Sequence, residues 1–177
     1  MSDLGGAVEA HLFSPEAASV FAVLDGASVG DLLTPLYEHH PPFECLYRGE
    51  LQPDIAEVAP YLVQLEQGTE FTKWVLEQGW ANHWGIFAVA DAALAVMRRH
   101  FRRFLTVHDP DGKPLYFRYY DPRVLRVYLP TCNAEELGTI FGPVQSFVLE
   151  DEDPAIALRF QLQDGALKSL KVQLPRS

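Results

Sequence analysis

The chain of 177 residues is 48% apolar and carries 24 acidic against 14 basic side chains, a formal charge of −10. The apolar share is ample for a core and excludes a disordered chain, while the acidity excludes general nucleic-acid binding unless positive charge gathers on one face. No apolar run approaches the roughly 20 residues that cross a bilayer, and the opening MSDLGGAVEAHLF has neither the basic leader nor the apolar stretch of a secretory signal.

Residues 1–19 read as a lead-in with no assigned element. VFAVLDGA, residues 20–27, predicts a buried strand leaving through an Asp-Gly turn. DLLTPLYEH spaces Leu32, Leu33, Leu36 and Tyr37 as a helix would, with Pro35 against it. PFECLYRG and APYLVQLE predict strands, and TEFTKWVLEQGW a helix with Phe71, Trp74, Val75 and Gln78 on one stripe and Gly79 as its stop. HWGIFAVA returns to strand character. Residues 91–106 predict a helix with Leu94, Met97, Phe101, Phe104 and Leu105 on one face and Arg98, Arg99, Arg102 and Arg103 opposite. After the polar turn HDPDGKP, LYFRYY predicts a strand. In DPRVLRVYL, Asp121 caps a helix and Pro122 takes its first position, with Arg123 and Arg126 outward and Val124, Leu125, Tyr128 and Leu129 inward. NAEELGTIFGP repeats that logic, with Asn133 as cap, Glu136 three residues on and Gly142-Pro143 as stop. PVQSFVLE, AIALRFQL and LKSLKVQL predict strands, the last two joined at Gln163-Asp164-Gly165. The expected fold is therefore α/β: a single domain of alternating strands and helices, with its body over residues 20–150 and a C-terminal β tail over 151–177 that belongs to the same fold.

The charge is segregated. Residues 1–70 hold twelve acids and one base, Arg48, whereas residues 98–126 hold eight bases and three acids. Such a dipolar surface can orient an encounter with a protein partner. Cys45 and Cys132, the two cysteines, are far apart in sequence and favour free thiols in a reducing, cytoplasmic compartment. There is no phosphate-binding glycine loop, no G-x-S-x-G elbow and no C-x-x-C pair, so no cofactor is expected. A metal at His39, His40 and Cys45 lacks a second ligand pair at standard spacing, and an HHPP surface turn is the simpler reading. Asp25 at a strand end and His83 beside Trp84 are the residues an acid–base enzyme would use; a turn-capping aspartate and a core-edge histidine are the structural alternatives. Trp74 belongs to a helical stripe and hence to the core. Trp80 and Trp84 fit either a core or an interface, as do the arginines set among tyrosines, which supply forked donors and stacking at interfaces or a solvated helix face.

GWANHWGIF, LAVMRRHFRRFLTVHDPDGKPLYFRYYDPRVLRVYLPTC and FGPV, with VLDGA near the start, resemble the effector-chaperone (adaptor) domain of bacterial type VI secretion systems, a family long catalogued as a domain of unknown function. The resemblance covers about residues 21–150. It implies a non-enzymatic cytoplasmic adaptor that binds a cognate toxic effector, commonly through the effector's N-terminal region, and helps load it onto the spike protein. It implies no catalytic residue, no metal, and no nucleic-acid or membrane partner. The candidates for partner contact are then Trp80, Trp84, Arg99, Arg103, Arg118, Tyr120, Arg123 and Arg126, and the alternative function is a small enzyme around Asp25 or His83.

Overall fold

Every residue of Val20–Asp25 is buried, the mark of a strand covered on both faces. A computed structural model, describing residues 3–13, 19–108 and 110–175, shows what covers it. The elements in chain order begin with α1 (Asp3–Leu12), β1 (Val20–Asp25), α2 (Gly26–Val29), α3 (Leu33–His39), β2 (Phe43–Cys45), α4 (Pro53–Val58) and β3 (Pro60–Leu65). Next come α5 (Glu70–Trp74), which runs on as a π-helical turn over Val75–Gly79, then β4 (Gly85–Ala90), α6 (Leu94–Arg102), β5 (Thr106–His108) and β6 (Pro114–Tyr116). The chain closes with α7 (Pro122–Tyr128), α8 (Ala134–Phe141), β7 (Val144–Glu150), β8 (Ile156–Gln163) and β9 (Ala166–Gln173).

Seven strands form one sheet in the order β2-β3-β1-β4-β7-β8-β9, and each neighbouring pair is antiparallel. Alternation along β1 divides the core. Ala22 and Leu24 face Val8 and Leu12 of α1, Leu36 of α3 and Phe71 of α5. Phe21 and Val23 face the other way, to Met97 and Phe101 of α6, Leu125 of α7 and Phe141 of α8. The mixed α/β class expected from the sequence is thus a sheet with helices on both faces, and the C-terminal hairpin β8–β9 is its extension. That hairpin turns on Asp164 and Gly165, with φ of 51° and 76°, because a tight turn with both central residues left-handed matches strand twist.

Four expectations are corrected. Residues 3–12 are a helix whose Val8 and Leu12 are fully buried, so the lead-in belongs to the core. The strand expected to reach Gly49 leaves the sheet after Cys45. The helix expected over 91–106 is limited to 94–102, because the chain then turns into β5. The strand predicted in LYFRYY ends at Tyr116: Tyr119 and Tyr120 are both buried, a pattern a strand with one solvated face does not allow.

The caps are as expected. Asn133 and Glu136 form a reciprocal capping box on α8. Asp121 accepts the Arg123 amide at 2.9 Å and also binds that residue's guanidinium, Nε to Oδ1 at 3.0 Å and Nη2 to Oδ2 at 2.7 Å. Losing an N-cap costs about 1 kcal/mol, so Asp121→Ala is expected to lower the denaturant midpoint while the folded variant keeps its partner affinity. An unchanged midpoint with lost binding would contradict the capping role.

Candidate partner-binding surface

An open groove of about 680 Å³ lies between α4, the end of α6 and the β5–β6 hairpin. One wall exists because α4 is only six residues long, starts at a proline that fits a first turn, and buries none of its side chains. Ile55 and Val58, three residues apart, are 42% and 45% exposed and line the groove together with Leu51. Opposite them stand Leu105, Thr106 and Tyr116, the last 83% exposed. All six residues of β5 and β6 are exposed, and a lone two-stranded ribbon is marginal by itself. Of the nine large apolar side chains exposed among the described residues, three (Ile55, Val58 and Tyr116) line this groove, while Val107 and Leu115 pair on the other face of the hairpin. A patch gathered in this way, rather than scattered, marks an interaction site.

The floor is held by Arg102. Its Nη2 donates to the carbonyls of Cys45 at 2.8 Å and Tyr47 at 3.1 Å, and its Nε to that of Leu46 at 3.1 Å. These are the backbone acceptors freed when the chain leaves the sheet after β2. Burial pushes the phenols of Tyr47, which lines the groove, and of neighbouring Tyr120 above their ordinary pKa. Beside them Arg118 is paired with Asp25, a buried carboxylate that also caps α2 through the Ala27 amide at 3.1 Å and accepts from Ser28 Oγ at 2.8 Å. The VLDGA and FRYYDPR stretches, 93 positions apart at this pair, are therefore bound to each other next to the groove.

The residues singled out from sequence divide accordingly. Arg103 lines the groove, and Arg99 is exposed on the same helix. Arg118 and Arg123 are half exposed but engaged by Asp25 and Asp121. Two candidates are corrected outright: Tyr120 is buried, and Trp80 is buried against Phe87 with its indole N–H given to the Pro154 carbonyl at 2.7 Å. Trp84 packs on Trp74 at 4.9 Å between ring centres, at the edge of the core and away from the groove. Arg126, expected outward, is only 14% exposed; it turns towards β8, with Nη2 3.7 Å from Glu152 and Nη1 buried without a partner. The inward face of α7 is as expected, with Leu125 and Leu129 buried.

His83 pairs through Nδ1 with buried Glu150, whose other oxygen accepts the Ala81 amide. Burial pushes the Glu150 carboxyl up, against the pull of those two groups. Ala81 and His83 have φ of 70° and 59°, so the carboxylate holds a turn that L side chains resist. No hydroxyl or thiol among the described residues is bonded to the other ring nitrogen. Asp25 and His83 are thus both engaged in holding turns, and neither lines the groove. Among the described residues no three His, Cys, Asp or Glu side chains are grouped to hold a metal ion, and no helix is long and apolar enough to cross a membrane.

Sequence reasoning missed Ile55, Val58, Tyr116 and Arg48. The only signal was two apolar residues three apart behind Pro53, too short a period to define a face. The groove lies inside the stretch, residues 20–139, that matches the family described as Domain of unknown function (DUF4123). No curated protein and no solved structure matches the chain.

Proposed function

Since the chain belongs to the DUF4123 family, whose match runs from β1 into α8, we propose that it is a type VI secretion adaptor. It holds a cognate toxic effector in the cytoplasm and promotes loading of that effector onto the spike protein, without catalysing a reaction. The observation that carries this reading is the groove, where apolar side chains from a short helix and a ribbon stand in solvent and share the lining with arginines. Apolar area of this kind gains free energy on burial, about 25 cal/mol per Å², and arginine with aromatic rims is the composition of protein interfaces. The carboxylate and histidine that an enzyme would need are instead tied to turns.

Co-expression with the toxin encoded beside this gene, followed by size-exclusion chromatography with mass determination, tests the proposal. The expected result is a 1:1 complex that forms without added metal or nucleotide. Separate elution of the two proteins would overturn it.

A further inference from the structure

We propose that the groove receives an acidic amphipathic segment of the partner, one whose apolar side chains alternate with carboxylates. The inference rests on the reading of the groove as the partner surface and adds the chemistry of what enters it.

The lining includes three arginines, Arg48, Arg102 and Arg103, and no acid. Arg102 is taken up by the three carbonyls of the floor. Arg48 and Arg103 are exposed, and neither guanidinium has a hydrogen-bonded or ion-paired partner among the described residues. Glu50, Asp54 and Glu57 lie on the same stretch of chain as Arg48 but do not line the groove. Two guanidinium groups without a partner among the described residues thus line the same groove as Ile55, Val58, Leu105 and Tyr116, so that cationic and apolar side chains share one surface. The chain as a whole is acidic, with a formal charge of −10, and residues 1–70 hold twelve acids against Arg48 alone. A basic segment would be drawn to many places on such a protein, whereas an acidic one finds few surfaces that accept it. Apolar contact supplies most of the affinity, because exposed ion pairs are individually weak, and the charges supply selection and orientation. Tyr116 suits the rim, offering an apolar ring with a polar tip to a segment that has both characters.

The test uses three fluorescein-labelled synthetic peptides of equal length and the full chain. One spaces leucines three and four residues apart with glutamates between them; the second has lysine for every glutamate; the third has serine for every leucine. Fluorescence anisotropy is expected to show saturable binding of the leucine–glutamate peptide alone, weakened as salt rises. Its affinity should fall at least tenfold in Arg48→Glu/Arg103→Glu and in Ile55→Ser/Val58→Ser, with Arg48→Gln/Arg103→Gln between the first of these and the unchanged chain. Equal binding of the lysine peptide, absence of binding by all three, or undiminished binding to both double variants would overturn the inference. Co-elution with the neighbouring toxin separates the two ideas. A toxin complex that survives in Arg48→Glu/Arg103→Glu keeps the adaptor and removes the acidic segment, whereas peptide binding as expected without any toxin complex keeps the acidic segment and removes the adaptor.

Discussion

Arg102→Ala is expected to lower the free energy of unfolding by about 3 kcal/mol, since each bond from a charged donor is worth about 1.5–3 kcal/mol and the carbonyls left behind are only in part reached by water. One guanidinium serves three successive carbonyls, of Cys45, Leu46 and Tyr47, around the buried Leu46 side chain. Arg102→Lys should recover only a fraction, because an ammonium is a point charge without the planar fork that spans these acceptors. Partner binding should fall along with stability, as the same backbone carries Tyr47 and Arg48 into the groove. Urea denaturation of the two variants checks this. Midpoints equal to that of the unchanged protein would show that the three bonds are dispensable.

Gly85→Ala is expected to destabilise the protein by at least the usual 1–3 kcal/mol of an overpacked core, which would deplete the folded protein on expression. An added Cβ would stand 2.1 Å from the Val23 carbonyl oxygen and 2.9 Å from its carbon, both backbone atoms of β1. No side chain can swing aside there, so β4 must move off β1 at the Gly85–Leu24 pair in the middle of the sheet. That movement also strains the bond from the Asp25 amide to the Trp84 carbonyl at 2.8 Å, which fixes the turn carrying Asp25. Gly138→Ala is the control, because an added Cβ there meets nothing within 4 Å and alanine favours a helix. Thermal unfolding that gave the two variants equal midpoints would contradict the close approach.

Much of the fold was legible because its signals are local. The fully apolar run of β1, the caps at Asp121 and Asn133, the two-residue turn at Asp164-Gly165 and the apolar face of α6 each depend on residues a few positions apart. What escaped depends on distant partners or on weak local preference. Helix α1 carries Gly5 and Gly6, each costing about 1 kcal/mol in a helix, and is recovered by packing Val8 and Leu12 on the sheet. Arg102 lies on the arginine side of α6 as periodicity predicts, yet its acceptors are some 55–57 positions away. Trp80 fitted either core or surface until Pro154, 74 residues on, supplied its acceptor. The groove was the least legible part, because its apolar residues come from three elements, two of them too short for periodicity to mark a face. The arginines set among tyrosines are chiefly architectural: Arg118 and Arg123 answer carboxylates, Arg126 turns inward, and Arg103, at the C-cap of α6, is the candidate that reaches the groove.

The central claim is that the partner sits in this groove, and hydrogen–deuterium exchange on the purified complex tests it most directly. Most described residues of 46–58 and 103–116 are exposed or carried by short elements in the free protein, so their amides should exchange rapidly alone and slowly in the complex. Protection confined to α1 or to the β8–β9 hairpin, with 46–58 and 103–116 unchanged, would place the partner elsewhere and contradict the account.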